Sequence, residues 1–124
     1  MFRLPQQFHE AVRLFNEGEY FECHEVLEEL WRAEPSSFRL LYQGVLQVAV
    51  GCYHLSVRHN RHGAVSKLRA GLQKLGQFPA VVDTVDLADL REQIATFLQE
   101  VEQMSDEQIA GYSGTCPLVI RYLV

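Results

Sequence analysis

The eleven residues FECHEVLEELW, Phe21 to Trp31, hold the densest set of side chains in this sequence that could do chemistry. His24 and Glu28 are four apart, so on a helix their side chains lie one above the other. Such a pair can chelate one divalent metal ion, with Glu25 or His54 completing the shell. A bound water would then be acidified, and Glu25, rotated off the chelating line, would be the base that takes its proton. The reaction class would be hydrolysis. The run is H-E-x-x-E, without the second histidine of the H-E-x-x-H zinc site. It also lacks the E-x-x-H pairs of di-iron bundles, since residues 21–24 read FECH. Two other uses of these residues stay open: a hydrogen-bond network that fixes helix register, and a small polar pocket for a metabolite.

These groups need helices to position them. A first helix is expected from about Pro5 to Glu17, with Phe8, Ala11, Val12 and Phe15 at helical spacing and Gly18 as its stop. A second, Glu19 to Ala33, ends before Pro35, so the two form an αα-hairpin. Phe21 and Trp31 flank the chelating pair. A third helix, capped by Ser36 or Ser37, reaches about Arg58. Its 18 residues Leu40–Val57 carry no formal charge, but Gln43, Gln47 and His54 argue against a membrane span. A long buried central helix fits better. On a helical wheel these three polar residues lie within about 40° of one another. Gly44 and Gly51 sit beside them, which predicts close approach of a neighbouring helix.

Isolated polar lines in a small core leave unsatisfied groups, each costing about 1–3 kcal/mol. Turning them toward each other predicts one semi-buried cluster of His24, Glu28, Gln43, Gln47 and His54, with Glu25 at its rim, and Tyr20 and Trp31 are grouped with that polar cluster. A fourth helix is expected over Gly63–Leu75 and a fifth, capped by Asp86, over Leu87–Met104, joined by the apolar link AVVDTV. The fold class is all-α: a single domain, residues 1–124, with about five helices and a tail over 105–124.

Charge is segregated. No Asp or Glu lies between Glu34 and Asp83, a block that holds Arg39, Arg58, Arg61, Lys67, Arg69 and Lys74. The plain expectation is acidic helix 2 lying beside basic helix 4. The sharper one is a basic face for an acidic partner. The turn RHNRHG offers an anion site at Arg58, Asn60 and Arg61, with a solvated turn as its ordinary explanation. The net charge of −5 and the lack of basic residues interleaved with aromatics disfavour nucleic acid. Cys23, Cys52 and Cys116 read as reduced residues of a cytoplasmic protein, with Cys116-Pro117 exposed in the tail. The N-terminus is too polar for a signal peptide. Leu118, Ile120 and Leu123, if exposed, would make a homodimer surface.

NEGEYFECHEVLEELWR, then YQGVLQVAVGCYHLSVRHNRHGAVSKLRAGLQKL, resembles the bacterial and archaeal domain of unknown function family 309. The family pattern falls on Asn16, Gly18, Tyr20, Phe21, His24, Glu25, Glu28 and Trp31. It continues on Gln43, Gly44, Gln47 and Ala49, then Asn60, Gly63 and Ala64. VDLADL looks like the family's entry to its last helix. The resemblance spans about residues 10–98, with Cys23 where the family usually has a small residue. It implies a compact all-helical fold. It implies no established activity, and the label of metal-dependent hydrolase sometimes given to the family rests on the His/Glu motif. A weaker likeness is to tetratricopeptide-type helix pairs, in AVRLFNEGEYFECHEVLEEL, which would imply a binding or scaffold module without enzyme chemistry.

Overall fold

The computed structural model describes residues 2–123. Its helices are α1 (Gln6–Asn16), α2 (Tyr20–Ala33), α3 (Arg39–Ser56), α4 (Arg61–Leu75), α5 (Leu87–Gln103) and α6 (Asp106–Ala110). Between α4 and α5 lies a small antiparallel hairpin, β1 (Val81–Val82) with β2 (Val85–Asp86). The all-α expectation holds. The hairpin and α6 add to the five expected helices. The AVVDTV link makes its turn at Asp83, whose φ of 56° is a left-handed conformation that Asp tolerates.

The first four helices fold for the reasons their sequences give. Phe8, Ala11, Val12 and Phe15 are the buried residues of α1. Gly18, at φ 80°, reverses the chain while its N–H donates to the Phe15 carbonyl at 3.0 Å. The third helix carries no side-chain cap, and Ser36 instead accepts from the Phe38 N–H within the preceding turn. The fourth begins at Arg61, two residues earlier than expected, because the Asn60 side chain accepts from Gly63 N–H and caps it.

Helix α3 is the hub: α2 and α4 both pack on it, α1 packs on α2, and α5 packs on α4. The α3–α4 crossing is close because glycines meet there. A Cβ built on Gly71 would fall 2.7 Å from the Gly44 carbonyl oxygen, and one on Gly51 would fall 2.9 Å from Leu68 Cγ.

The tail is part of the core, which corrects two expectations. Leu118 and Ile120 are buried, at 3% and 2% exposure, leaving Leu123 alone of the three exposed. Two side-chain amides hold the segment as a neighbouring strand would. Asn16 accepts from Ile120 N–H and donates to its carbonyl, at 2.8 and 2.9 Å. Gln93 does the same for Val119 at 2.9 Å each way. Tyr122 then bridges to Val85 at the hairpin edge. Cys116 is buried rather than exposed. Burial pushes the Cys23 thiol up to about 12, as befits a packing residue. No helix among the described residues is long and apolar enough to cross a membrane.

Candidate functional site

Helix α2 presents His24 and Glu28 on one flank, with His24 Nε2 3.2 Å from Glu28 Oε2. Arg32, one turn further on, also pairs with Glu28. Both residues of the His–Glu pair are half-buried. Phe21 stands beside His24, ring centroids 6.2 Å apart, and beside Tyr53 of α3 at 6.3 Å. At the other end of the helix Arg39 lies over the Trp31 ring, 5.3 Å from its centroid. Glu25 is exposed and lines a shallow hollow of about 230 Å³ with Glu28, Glu29 and Arg32, all on this one helix.

Helix α3 has neighbours on two opposite sides. Tyr53 meets α2, while Gly44 and Gly51 meet α4. On a wheel those directions are about 160–200° apart. The sector between them holds Gln43, Leu46, Gln47, Val50 and His54, all half-open. That is where the polar line lies, between the flanking helices and toward solvent.

The expected mutual satisfaction of the two polar lines is not what the geometry provides. No hydrogen bond or ion pair among the described residues joins His24 or Glu28 to Gln43, Gln47 or His54. Gln47 Oε1 and His54 Nδ1 are instead buried atoms without a partner. The His54 ring leans toward α4: a Cβ on Gly63 would lie 3.0 Å from its Cγ and Nδ1. Tyr20 is further from the expected cluster. It is buried, and its hydroxyl accepts from the Cys116 N–H at 2.9 Å, fastening the tail. No group of three or more His, Cys, Asp or Glu among the described residues is arranged to hold a metal ion.

Desolvation, with smaller contributions from Arg58 and Lys67, holds the His54 imidazole below its ordinary value of 6.5. The sign of the consequence follows. The unfolded chain protonates this ring at a higher pH than the folded one does, so the stability it contributes is present above the unfolded value. That stability is lost as pH falls through the depressed folded value. Urea midpoints should therefore drop between neutral pH and pH below about 6, and the drop should shrink in His54→Gln. An unchanged slope in that variant would assign the acid sensitivity elsewhere.

The charge segregation resolves differently from its plain expectation. Helix α3 separates α2 from α4, and no ion pair among the described residues links these two helices. Arg69 pairs with Glu102 of α5 instead. Arg58, Lys67 and Lys74 have no ion-pair partner among the described residues, nor do Glu22, Glu25 and Glu29. The anion site expected at Arg58, Asn60 and Arg61 is largely spent on the fold. Asn60 caps α4, and Arg61 donates to the Met104 carbonyl and pairs with Asp106. Lys67 and Lys74 border the open sector: a Cβ on Gly44 would lie 3.3 Å from the Lys74 Cβ, and Lys67 is near enough to His54 for its charge to act on that ring. Sequence reasoning had them only as members of a basic block, Phe21 only as a flank of the His–Glu pair and a position of the family pattern, and Tyr53 only as a helix residue. The charge pattern carried a signal for the lysines, and nothing local marked the aromatic pair.

Residues 8–66, spanning α1 to the start of α4, match the family described as a Domain of unknown function (DUF309). The chain is also similar to the Uncharacterized protein YpuF of Bacillus subtilis (strain 168), with 36% identity over 90 residues. That match covers 70% of this chain and 51% of the relative, so the chain spans about half the relative's length. The match holds His24, Glu25, Glu28, Gln43, Gln47, His54 and the capping Asn60 inside the family segment, while most of α4 and all of α5 lie beyond it. Through residues 8–66 the chain is similar to the DUF309 family.

Proposed function

We propose that this chain is a non-enzymatic helical binding module that receives an acidic partner on the open sector of α3, along its border with α4. One observation carries the reading: Lys67 and Lys74, on the α4 border of that sector, have no ion-pair partner among the described residues, in a stretch with no Asp or Glu between Glu34 and Asp83. The two lysines are seven residues, or about 10 Å, apart along the helix, a spacing that suits an extended or helical polypeptide. Lys67 and Lys74 supply the attraction. A polyglutamate peptide should therefore bind in calorimetric titration, more weakly at high salt. Lys67→Glu/Lys74→Glu should abolish binding while leaving helix content unchanged. Equal affinity in that variant would overturn the reading.

Metal-assisted hydrolysis is the second reading, supported by the solvent-accessible His24–Glu28 pair. It requires a third ligand, from Glu25 or His54, to join that pair. Elemental analysis of protein purified without tag or chelator separates the two. The leading reading expects no stoichiometric metal. One equivalent of metal, lost in His24→Ala, would put the hydrolase first.

A further inference from the structure

We propose that the partner is a second copy of this chain, related by a two-fold axis running along α3, so that α2 of each protomer lies against α4 of the other. This deepens the binding-module reading and rests on it. The open sector of α3 has one acidic wall and one basic wall. Glu25 and Glu29 stand on α2, in a hollow shared with Glu28 and Arg32, which pair with each other, and Lys67 and Lys74 stand on α4. All four lack an ion-pair partner among the described residues, so their charge is free to meet another molecule. A two-fold axis lying in the contact plane and parallel to α3 exchanges left and right. The acidic wall of one protomer then falls on the basic wall of the other, twice over, in an isologous contact.

The heights agree without any slip along the axis. Phe21 lies beside Tyr53 and Trp31 beside Arg39, so α2 runs antiparallel to α3. Glu25, four residues or about 6 Å further on, is therefore level with Ala49 and Val50. On the other side, Gly51 faces Leu68 and Ala64, which puts Lys67 at the same level. Glu29, about 12 Å from Phe21 along α2, is level with Val45. Lys74 is level with Gly44. Each acid thus has a base at its own height on the opposite wall. Apolar area for the contact is present at one end of the face, where Phe21 and Val57 are 53% and 54% exposed. The half-open Leu46 and Val50 lie nearer its middle.

Sedimentation equilibrium of the full chain tests this. The wild type should run as a dimer of the 14.2-kDa chain. Lys67→Glu/Lys74→Glu makes both walls acidic, and Glu25→Lys/Glu29→Lys makes both basic. Each variant alone should be monomeric with unchanged helix content. Mixed one to one, they should recover the dimer, because every contact then joins opposite charges. A monomeric wild type, variants that remain dimeric, or a mixture that stays monomeric would each overturn the proposal. Polyglutamate distinguishes its failure from failure of the binding-module reading. A monomeric wild type that binds the peptide through Lys67 and Lys74 loses only the self-partner, and one that binds nothing loses both.

Discussion

Phe8→Ala is expected to cost about 3–5 kcal/mol of unfolding free energy, the usual range for emptying a buried aromatic site. Phe8 has no exposed surface, and its ring centroid lies 5.8 Å from that of Tyr42 on α3. It therefore ties α1 to the hub helix as well as to its own hairpin. The surrounding side chains belong to helices held at both ends, so the cavity can collapse only in part. Domains are typically stable by about 5–15 kcal/mol, so the variant should lose a large share of its stability and show a clearly lower urea midpoint by circular dichroism. A loss under about 1 kcal/mol, far below the range for aromatic truncation, would show that α1 is only loosely attached to the core.

Gly71→Ala is the second large effect, and it runs against local propensity. In an isolated helix the change would gain up to about 1 kcal/mol. Here the new Cβ would sit 2.6 Å from Val48 Cγ2 and 2.7 Å from the Gly44 carbonyl oxygen. The valine methyl can rotate, but the carbonyl is backbone and cannot yield unless the helices separate. Overpacking of this kind costs about 1–3 kcal/mol, and we expect net destabilisation near the upper part of that range. Gly76→Ala is the control. Its Cβ would meet nothing closer than 3.4 Å, so its midpoint should stay near or slightly above the wild type. Equal behaviour of the two variants would mean that α3 and α4 do not cross as closely as described.

The helices were legible because burial follows the 3.6-residue period. The buried set of α1, and Leu90, Ile94, Phe97, Leu98 and Val101 of α5, are the residues that spacing alone selects. Gly44 and Gly51 correctly announced a close neighbour, though not which helix it would be. The polar line of α3 was legible as a line but not as a site. A wheel shows that Gln43, Gln47 and His54 share a direction; it does not show where the flanking helices stand. With α2 and α4 on opposite sides, that direction opens to solvent, and His24 is left with Glu28 of its own helix. The tail was the least legible part. It is held by Asn16 and Gln93 across separations of 104 and 26 residues, and such pairing leaves no periodic trace.

The open sector of α3 is the proposed binding surface. Its most direct test is amide chemical-shift mapping of the labelled full chain as polyglutamate is added. Perturbations should gather at Gln43–Arg58 and at Gly63–Lys74, and the His54 ring should move with them. A titration that shifts amides of α1, α5 or the tail while α3 stays silent would contradict it.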